Sequence, residues 1–163
     1  MGTEIETEHL FFKDSIFITQ KKSVEEIFKE ISTQLVAKKL VKDNFFENLL
    51  IREKNFPTGL DLSVIDSSLP NIAIPHTEGE FVNTRRVVPI KLMYPVTFNN
   101  MIDPTKQVEV NFLFMILNND PVGQANVLSE IMGFLSKVKP KELKDFFNYT
   151  CEESILNFLN ENF

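Results

Sequence analysis

Cysteine and histidine are scarce in this 163-residue chain: one of the first, two of the second, and there is no tryptophan. A single cysteine, Cys151, excludes an intramolecular disulfide and a cysteine metal cluster. His9 lies in a polar N-terminal stretch and His76 ends an apolar run, so the histidines do not supply the three or four ligands that zinc requires. Basic residues are outnumbered 17 to 23, giving a formal net charge of −6. Nucleic acid is therefore disfavoured as the main ligand, because phosphate recognition needs a basic footprint. A basic protein partner is compatible with that charge. No apolar run reaches membrane-spanning length, and no charged-then-apolar leader opens the chain, so the expectation is a cytoplasmic protein. There is no internal repeat, low-complexity tract, Gly/Ser/Pro-rich linker or Gly-x-Ser-x-Gly nucleophile elbow.

What is present suits one domain with a real core. Sixteen phenylalanines within 43% apolar residues point to a Phe-rich interior. Residues 1–12 read as a flexible N-terminus and 13–163 as the domain. Ser15–Thr19 reads as a short strand. Ser23 with Glu26 forms a capping box for a helix whose stripe is Val24, Ile27, Phe28, Ile31, Leu35 and Val36. Asp43 is the expected N-cap of a second helix reaching about Lys54, with Phe45, Leu49 and Arg52 on one face. Phe56-Pro57-Thr58-Gly59 breaks it. Asn71–Pro75 reads as a short buried strand. Arg86–Tyr94 alternates with Val88, Ile90, Leu92 and Tyr94 on one face, and Pro89 suggests an edge position or a bulge. Val108–Leu117, apolar on both faces with Val110, Phe112, Phe114 and Ile116 on one, reads as a central strand covered on both sides. Asp120-Pro121 is the expected start of a third helix carrying Gln124, Leu128, Ile131 and Leu135, broken at Lys139-Pro140. A short helix with Leu143, Phe146 and Phe147 follows, then a C-terminal helix opened by a Thr150/Glu153 capping box. Interspersed helices and strands predict a single-domain α/β sandwich, a mixed sheet flanked by helices on both faces.

Four positions could carry chemistry. His76 follows a buried strand and precedes the loop-like Thr77-Glu78-Gly79-Glu80, the kind of strand end where open α/β sheets place sites. The bland reading is a histidine capping the strand end. Arg52 shares a helical face with Phe45 and Leu49, and a guanidinium there must find an acceptor or an anion. It could equally snorkel outward or pair with Glu53 or Asp61. Gln124, in the first turn of its helix, could donate to an anion at the helix N-terminus or simply cap locally. Thr58-Gly59 offers a hydroxyl and a flexible backbone, and alone it is a turn. One imidazole, one fixed cation and several neutral donors suit transient capture of a phosphoryl group.

Arg52-Glu53, then Phe56-Pro57-Thr58-Gly59-Leu60, then Ile72-Ala73-Ile74-Pro75-His76-Thr77 resembles the fructose/mannitol-type (type 2) enzyme IIA of the bacterial sugar phosphotransferase system. Tyr94-Pro95-Val96 and the later strand–helix pattern extend the likeness over roughly residues 13–162. The resemblance implies that His76 takes a phosphoryl group from the phosphocarrier HPr and passes it to a cysteine of a cognate IIB protein. A membrane IIC partner would act downstream and hold the sugar specificity. Arg52 would sit beside the phosphohistidine, and Gln124 and Thr58 would donate neutral hydrogen bonds to the phosphoryl oxygens. Nε2 would be the attacking nitrogen, with the other ring nitrogen held by a backbone carbonyl. No cofactor or metal is implied. Gln124 aligns where many members carry a second histidine, a departure that resembles the galactitol branch. Three rivals stand beside this reading: a regulatory IIA-like domain signalling to a partner without feeding transport, a binding module in which His76 and Arg52 are structural, and a single-histidine hydrolase.

Overall fold

In a computed structural model that describes residues 9–120 and 124–163, the side chains of Gln124 and Ala125 excepted, the centre of the sheet is the strand with the longest unbroken apolar run, Phe112–Leu117. This is β5 (Gln107–Asn118), which lies between β4 (Arg85–Asn99) and β3 (Asn71–Ala73). The sheet is completed by β1 (Phe17–Thr19) beyond β4 and β2 (Gly59–Leu60) beyond β3, in the order β1-β4-β5-β3-β2. The β1/β4 and β3/β5 pairs are parallel, and the β4/β5 and β2/β3 pairs are antiparallel.

Helices α1 (Val24–Ala37) and α2 (Phe45–Asn55) cover one face, packing Ile27, Phe28, Ile31, Phe45 and Leu49 against Val88, Ile90, Leu113, Met115 and Leu117. The other face lies under α3 (Gln124–Lys137), α4 (Pro140–Phe147) and α5 (Glu152–Asn162). They bring Phe134, Leu143, Phe146, Phe147 and Leu159 onto Ile72, Ile74, Phe112, Phe114 and Ile116. Both faces of β5 are buried, as its continuous apolar run requires.

Local chemistry explains most element boundaries. At α1 the Ser23 hydroxyl accepts the Glu26 N–H at 3.2 Å and donates to its carboxylate at 3.0 Å. The second helix starts differently from the expectation. Its N-cap is Asn44, not Asp43, and the Phe45 N–H turns back to the Lys42 carbonyl, so a backbone turn replaces the side-chain cap. At α5 the N-cap is Cys151, not Thr150: the first helical bond runs from Ile155 N–H to Cys151 C=O, which puts Glu153 one position too early for a capping box with Thr150. Ser15 closes a 3₁₀ turn and the first strand begins at Phe17. Of the stretch expected to be flexible, 1–8 lie outside the described residues, while Leu10 and Phe11 are buried and the Leu10 carbonyl accepts the Val87 N–H. The start of the third helix at Asp120-Pro121 also falls on residues outside the description, which resumes at Gln124.

Two register irregularities interrupt the alternation that the sequence suggests. Asn71 and Ile72 of β3 oppose Val110 and Phe112, so Asn111 is the extra residue and Val110 joins the α1/α2 side rather than the side of Phe112. In β4 the pairing with β5 breaks between Lys91 and Val96. Tyr94 is therefore 45% exposed instead of continuing the buried row of Val88, Ile90 and Leu92. Pro89 is neither on an edge strand nor at this break. N–H groups alternate sides along a strand, so Pro89 faces the side where Val87 reaches Leu10, just before β1 begins to pair at Ile90.

Candidate functional site

The parallel alignment of β3 with β5 brings two strand ends to the same edge of the sheet. Beyond Ala73 the chain continues beside β5: the Pro75 carbonyl accepts the Ile116 N–H at 3.0 Å, and His76 pairs with Ile116. Asn118 and Asp120 leave the neighbouring strand at that level. Together with Arg52, Thr77, Glu78 and Gly79 they and His76 line a cavity of about 240 Å³. A larger cavity of about 530 Å³ between α1, α2, β4 and β5, lined by Leu50, Glu53, Lys54, Phe98 and Asn99 among others, lacks an imidazole.

His76 is half-buried, and its Nδ1 lies 2.9 Å from the Ile74 carbonyl. A carbonyl oxygen can only accept, so in the neutral ring the proton resides on Nδ1 and the lone pair on Nε2. Burial, and secondarily the Arg52 charge, hold the imidazole below its ordinary pKa, against the Ile74 bond and Glu78 that raise it. The ring is thus biased toward its neutral form, with one nitrogen already engaged.

Arg52 stands in the last turn of α2, a helix end that suits a cation. Of the partners weighed from the sequence, neither Glu53 nor Asp61 holds it. Its Nη1 lies 3.7 Å from the Glu78 carboxylate and its guanidinium 4.5 Å over the exposed Phe56 ring. Its Nε has no hydrogen-bond partner. A cation so loosely held can turn toward an incoming anion.

Thr58 does not join this group. It is 2% exposed, its hydroxyl donates to Glu53 Oε1 at 2.6 Å and its N–H to Oε2 at 2.7 Å. With its proton spent on a buried carboxylate, Thr58 cannot serve as the expected phosphate donor. Gln124 opens the described part of α3, and its side chain lies outside the described residues. The structure therefore brings His76 and Arg52 together and leaves Thr58 apart. Glu78, Gly79, Asn118 and Asp120 were not anticipated. The cue for the last two was the Asn118-Asn119-Asp120 stretch ending the longest apolar run, useful only once β3 and β5 are known to run parallel. Gly79 has a steric reason, since a Cβ there would meet the Asn118 carbonyl at 3.0 Å. Among the described residues no group of three His, Cys, Asp or Glu could hold a metal, and no helix is long and apolar enough to cross a membrane.

Comparison with known proteins places the chain as a whole. The chain is 26% identical over 129 residues to the galactitol-specific EIIA component of the phosphotransferase system of Escherichia coli K12, covering 79% of this chain and 80% of the relative. The crystal structure of IIA mannitol from Escherichia coli superimposes with a TM-score of 0.69 at 22% identity, covering 91% of this chain and 98% of that one. The Escherichia coli complex of the mannitol enzyme IIA with phosphorylated enzyme IIB gives a TM-score of 0.68 at 21% identity, covering 93% and 97%. Residues 9–162 match the family described as the phosphoenolpyruvate-dependent sugar phosphotransferase system, EIIA 2. The chain belongs to that family and is a phosphocarrier component of the phosphotransferase system.

Proposed function

We propose that His76 is the phosphoryl acceptor of this phosphocarrier, and that it takes the group from phospho-HPr and gives it to a cysteine thiolate of a cognate IIB protein for sugar or polyol uptake. The observation that carries the reading is the His76 ring itself: neutral, proton on Nδ1 toward Ile74, lone pair on Nε2, beside the loosely paired Arg52. In the first step the Nε2 lone pair forms an N–P bond as the donor's P–N bond breaks. The donor histidine, protonated on its other ring nitrogen, keeps the electron pair and leaves as neutral imidazole, while His76 retains its Nδ1 proton toward Ile74. In the second step the IIB thiolate displaces Nε2, which recovers its lone pair. Phosphoryl transfer spreads charge over the equatorial oxygens, so positioning and electrostatic stabilisation supply most of the catalysis. Arg52 supplies the fixed positive charge, leaving Glu78 for the phosphoryl oxygens. Gln124, at the N-terminal end of the described α3, is placed in sequence to add a neutral donor.

The partner assignment draws on the mannitol relative, recorded in complex with its phosphorylated IIB. Ile51 and Phe56, 57% and 60% exposed on either side of Arg52 in sequence, offer apolar contact for a partner that must dock weakly and leave. Galactitol as the cargo rests on the curated relative at 26% identity.

Incubation with phosphoenolpyruvate, enzyme I and HPr, read by intact mass, tests the proposal. One acid-labile phosphoryl group is expected on the wild type and none on His76→Ala, with the variant folded. Phosphorylation that survives the substitution sinks the assignment.

A further inference from the structure

Arg52 and His76 belong to different segments, and the direct link between them, Arg52 to Glu78 at 3.7 Å, is half exposed. An exposed pair of that kind holds geometry weakly. A second route between the same two points is buried up to its last bond, the one to the His76 ring. The Glu53 carboxylate, adjacent to Arg52 in the chain, accepts the Thr58 hydroxyl and the Thr58 N–H. The Thr58 carbonyl accepts the Ile74 N–H at 3.2 Å, and the Ile74 carbonyl accepts His76 Nδ1 at 2.9 Å. Glu53, Thr58 and Ile74 are 9%, 2% and 0% exposed.

A buried carboxylate is costly, and closing a tight turn does not require one, since a neutral acceptor would serve. Burial raises the Glu53 pKa to about 7, against the two Thr58 bonds that lower it, in keeping with that cost. The groups that line the cavity beside it are Glu25 of α1, Lys54 of α2, Thr97 and Asn99 of β4 and Gln107 of β5. None of their side chains has a hydrogen bond to the Glu53 carboxylate in the described structure, whose two bonds both go to Thr58.

We propose that Glu53 is a positioning residue for phosphoryl transfer. Through Thr58 and Ile74 it fixes the helix end that carries Arg52 against the strand end that carries His76, and it holds the Ile74 carbonyl where it selects the Nδ1–H tautomer. The inference rests on His76 being the acceptor. A misplacement of the reacting groups by an ångström costs on the order of a hundredfold in rate, so loosening this path has a kinetic signature distinct from lost stability.

The test compares the full chain as wild type, Glu53→Ala, Glu53→Gln and Thr58→Val, with ¹⁵N-labelled histidine. Two quantities are read: the rate of phosphoryl acceptance as phospho-HPr is varied, and the His76 ring nitrogen shifts. Glu53→Ala is expected to lower the saturated rate about tenfold or more with half-saturation little changed, and to mix the two tautomers. In Glu53→Gln the amide oxygen accepts the Thr58 N–H and the amide nitrogen donates to the Thr58 hydroxyl. Rate and tautomer should return to near the wild type. A folded Glu53→Ala with wild-type rate and tautomer overturns the proposal, as does a Glu53→Gln as impaired as the alanine variant. Should Glu53→Ala fail to fold, Thr58→Val, which severs only the hydroxyl arm, takes its place, and wild-type behaviour there overturns the proposal too. If the wild type accepts no phosphoryl group, the His76 assignment falls, and the tautomer comparison still decides whether Glu53 orders the ring.

Discussion

Arg52 was ambiguous in the sequence because the same i, i+4, i+7 spacing places it on a core-facing stripe and at a helix end, where a long side chain can escape the core. The structure resolves this by depth: Phe45 and Leu49 are fully buried, whereas the Arg52 side chain is 31% exposed at the rim of the His76 cavity. Its present contacts, the ion pair and the ring of Phe56, are each worth at most about 1 kcal/mol at such a site. Arg52→Ala should therefore cost little stability but slow phosphoryl acceptance about 10²–10³-fold, the scale of removing one charge-stabilising donor from a transition state. Urea midpoints beside transfer rates check this, and a loss of stability in proportion to the loss of rate would mark Arg52 as structural. His76 was legible because histidine is so scarce here. Glu53 was not, because an acidic residue beside an arginine on a helix reads as solvated surface, and only the fold reveals that it points inward at Thr58.

Elements that carry their own signal were readable as they stand: the Ser23/Glu26 box, the apolar stripes of α1 and α3, and the doubly apolar β5. Elements made by their neighbours were not. The two-residue β2 has no periodicity to detect, and it exists because Gly59 and Leu60 pair with Ala73 and Ile72. Its glycine serves close approach, since a Cβ at position 59 would lie 2.5 Å from Val108 Cγ2 and 2.6 Å from the Asn99 carbonyl. Gly59→Ala must push β2 away from the β4–β5 hairpin. A loss of about 1–3 kcal/mol is expected in urea unfolding, the usual scale of overpacking. Because Thr58 is displaced with it, the His76 ring shifts should move as well. Unchanged stability would mean that the hairpin yields freely there. Bulges belong to the same class. Nothing in Val108–Leu117 marks Asn111 as the extra residue, because the β3 partner imposes the slip.

Across the whole molecule, half-buried His76 and buried Glu53 pull stability in opposite directions with pH. His76 is held below its ordinary pKa of 6.5, so the folded state resists its protonation and stability falls as pH drops beneath that range. Glu53 is raised from 4.5 to about 7, so the folded state binds the extra proton. Its contribution is full below about pH 4.5 and is lost as pH climbs to about 7, up to about 3 kcal/mol in all. Glu53→Gln removes this term, so its stability relative to the wild type should improve by about 2–3 kcal/mol between pH 5 and pH 8. Urea unfolding at the two pH values measures the change, and a constant difference would mean that the Glu53 carboxyl titrates as it does in the unfolded chain.

By itself the sequence determined the class of fold, most helices and strands, the apolar residues of both core layers, and the identity of the one well-placed imidazole. These follow from periodicity, capping and scarcity, which act over a few neighbouring residues. The tertiary structure alone decided that β3 and β5 run parallel, which gathers His76, Asn118 and Asp120 at one edge of the sheet. It also decided that Arg52 faces Glu78 rather than Glu53, and that Thr58 spends its hydroxyl on a buried carboxylate instead of a phosphoryl oxygen. Those outcomes depend on which distant segments meet and how deeply each polar group is buried, and local sequence encodes neither.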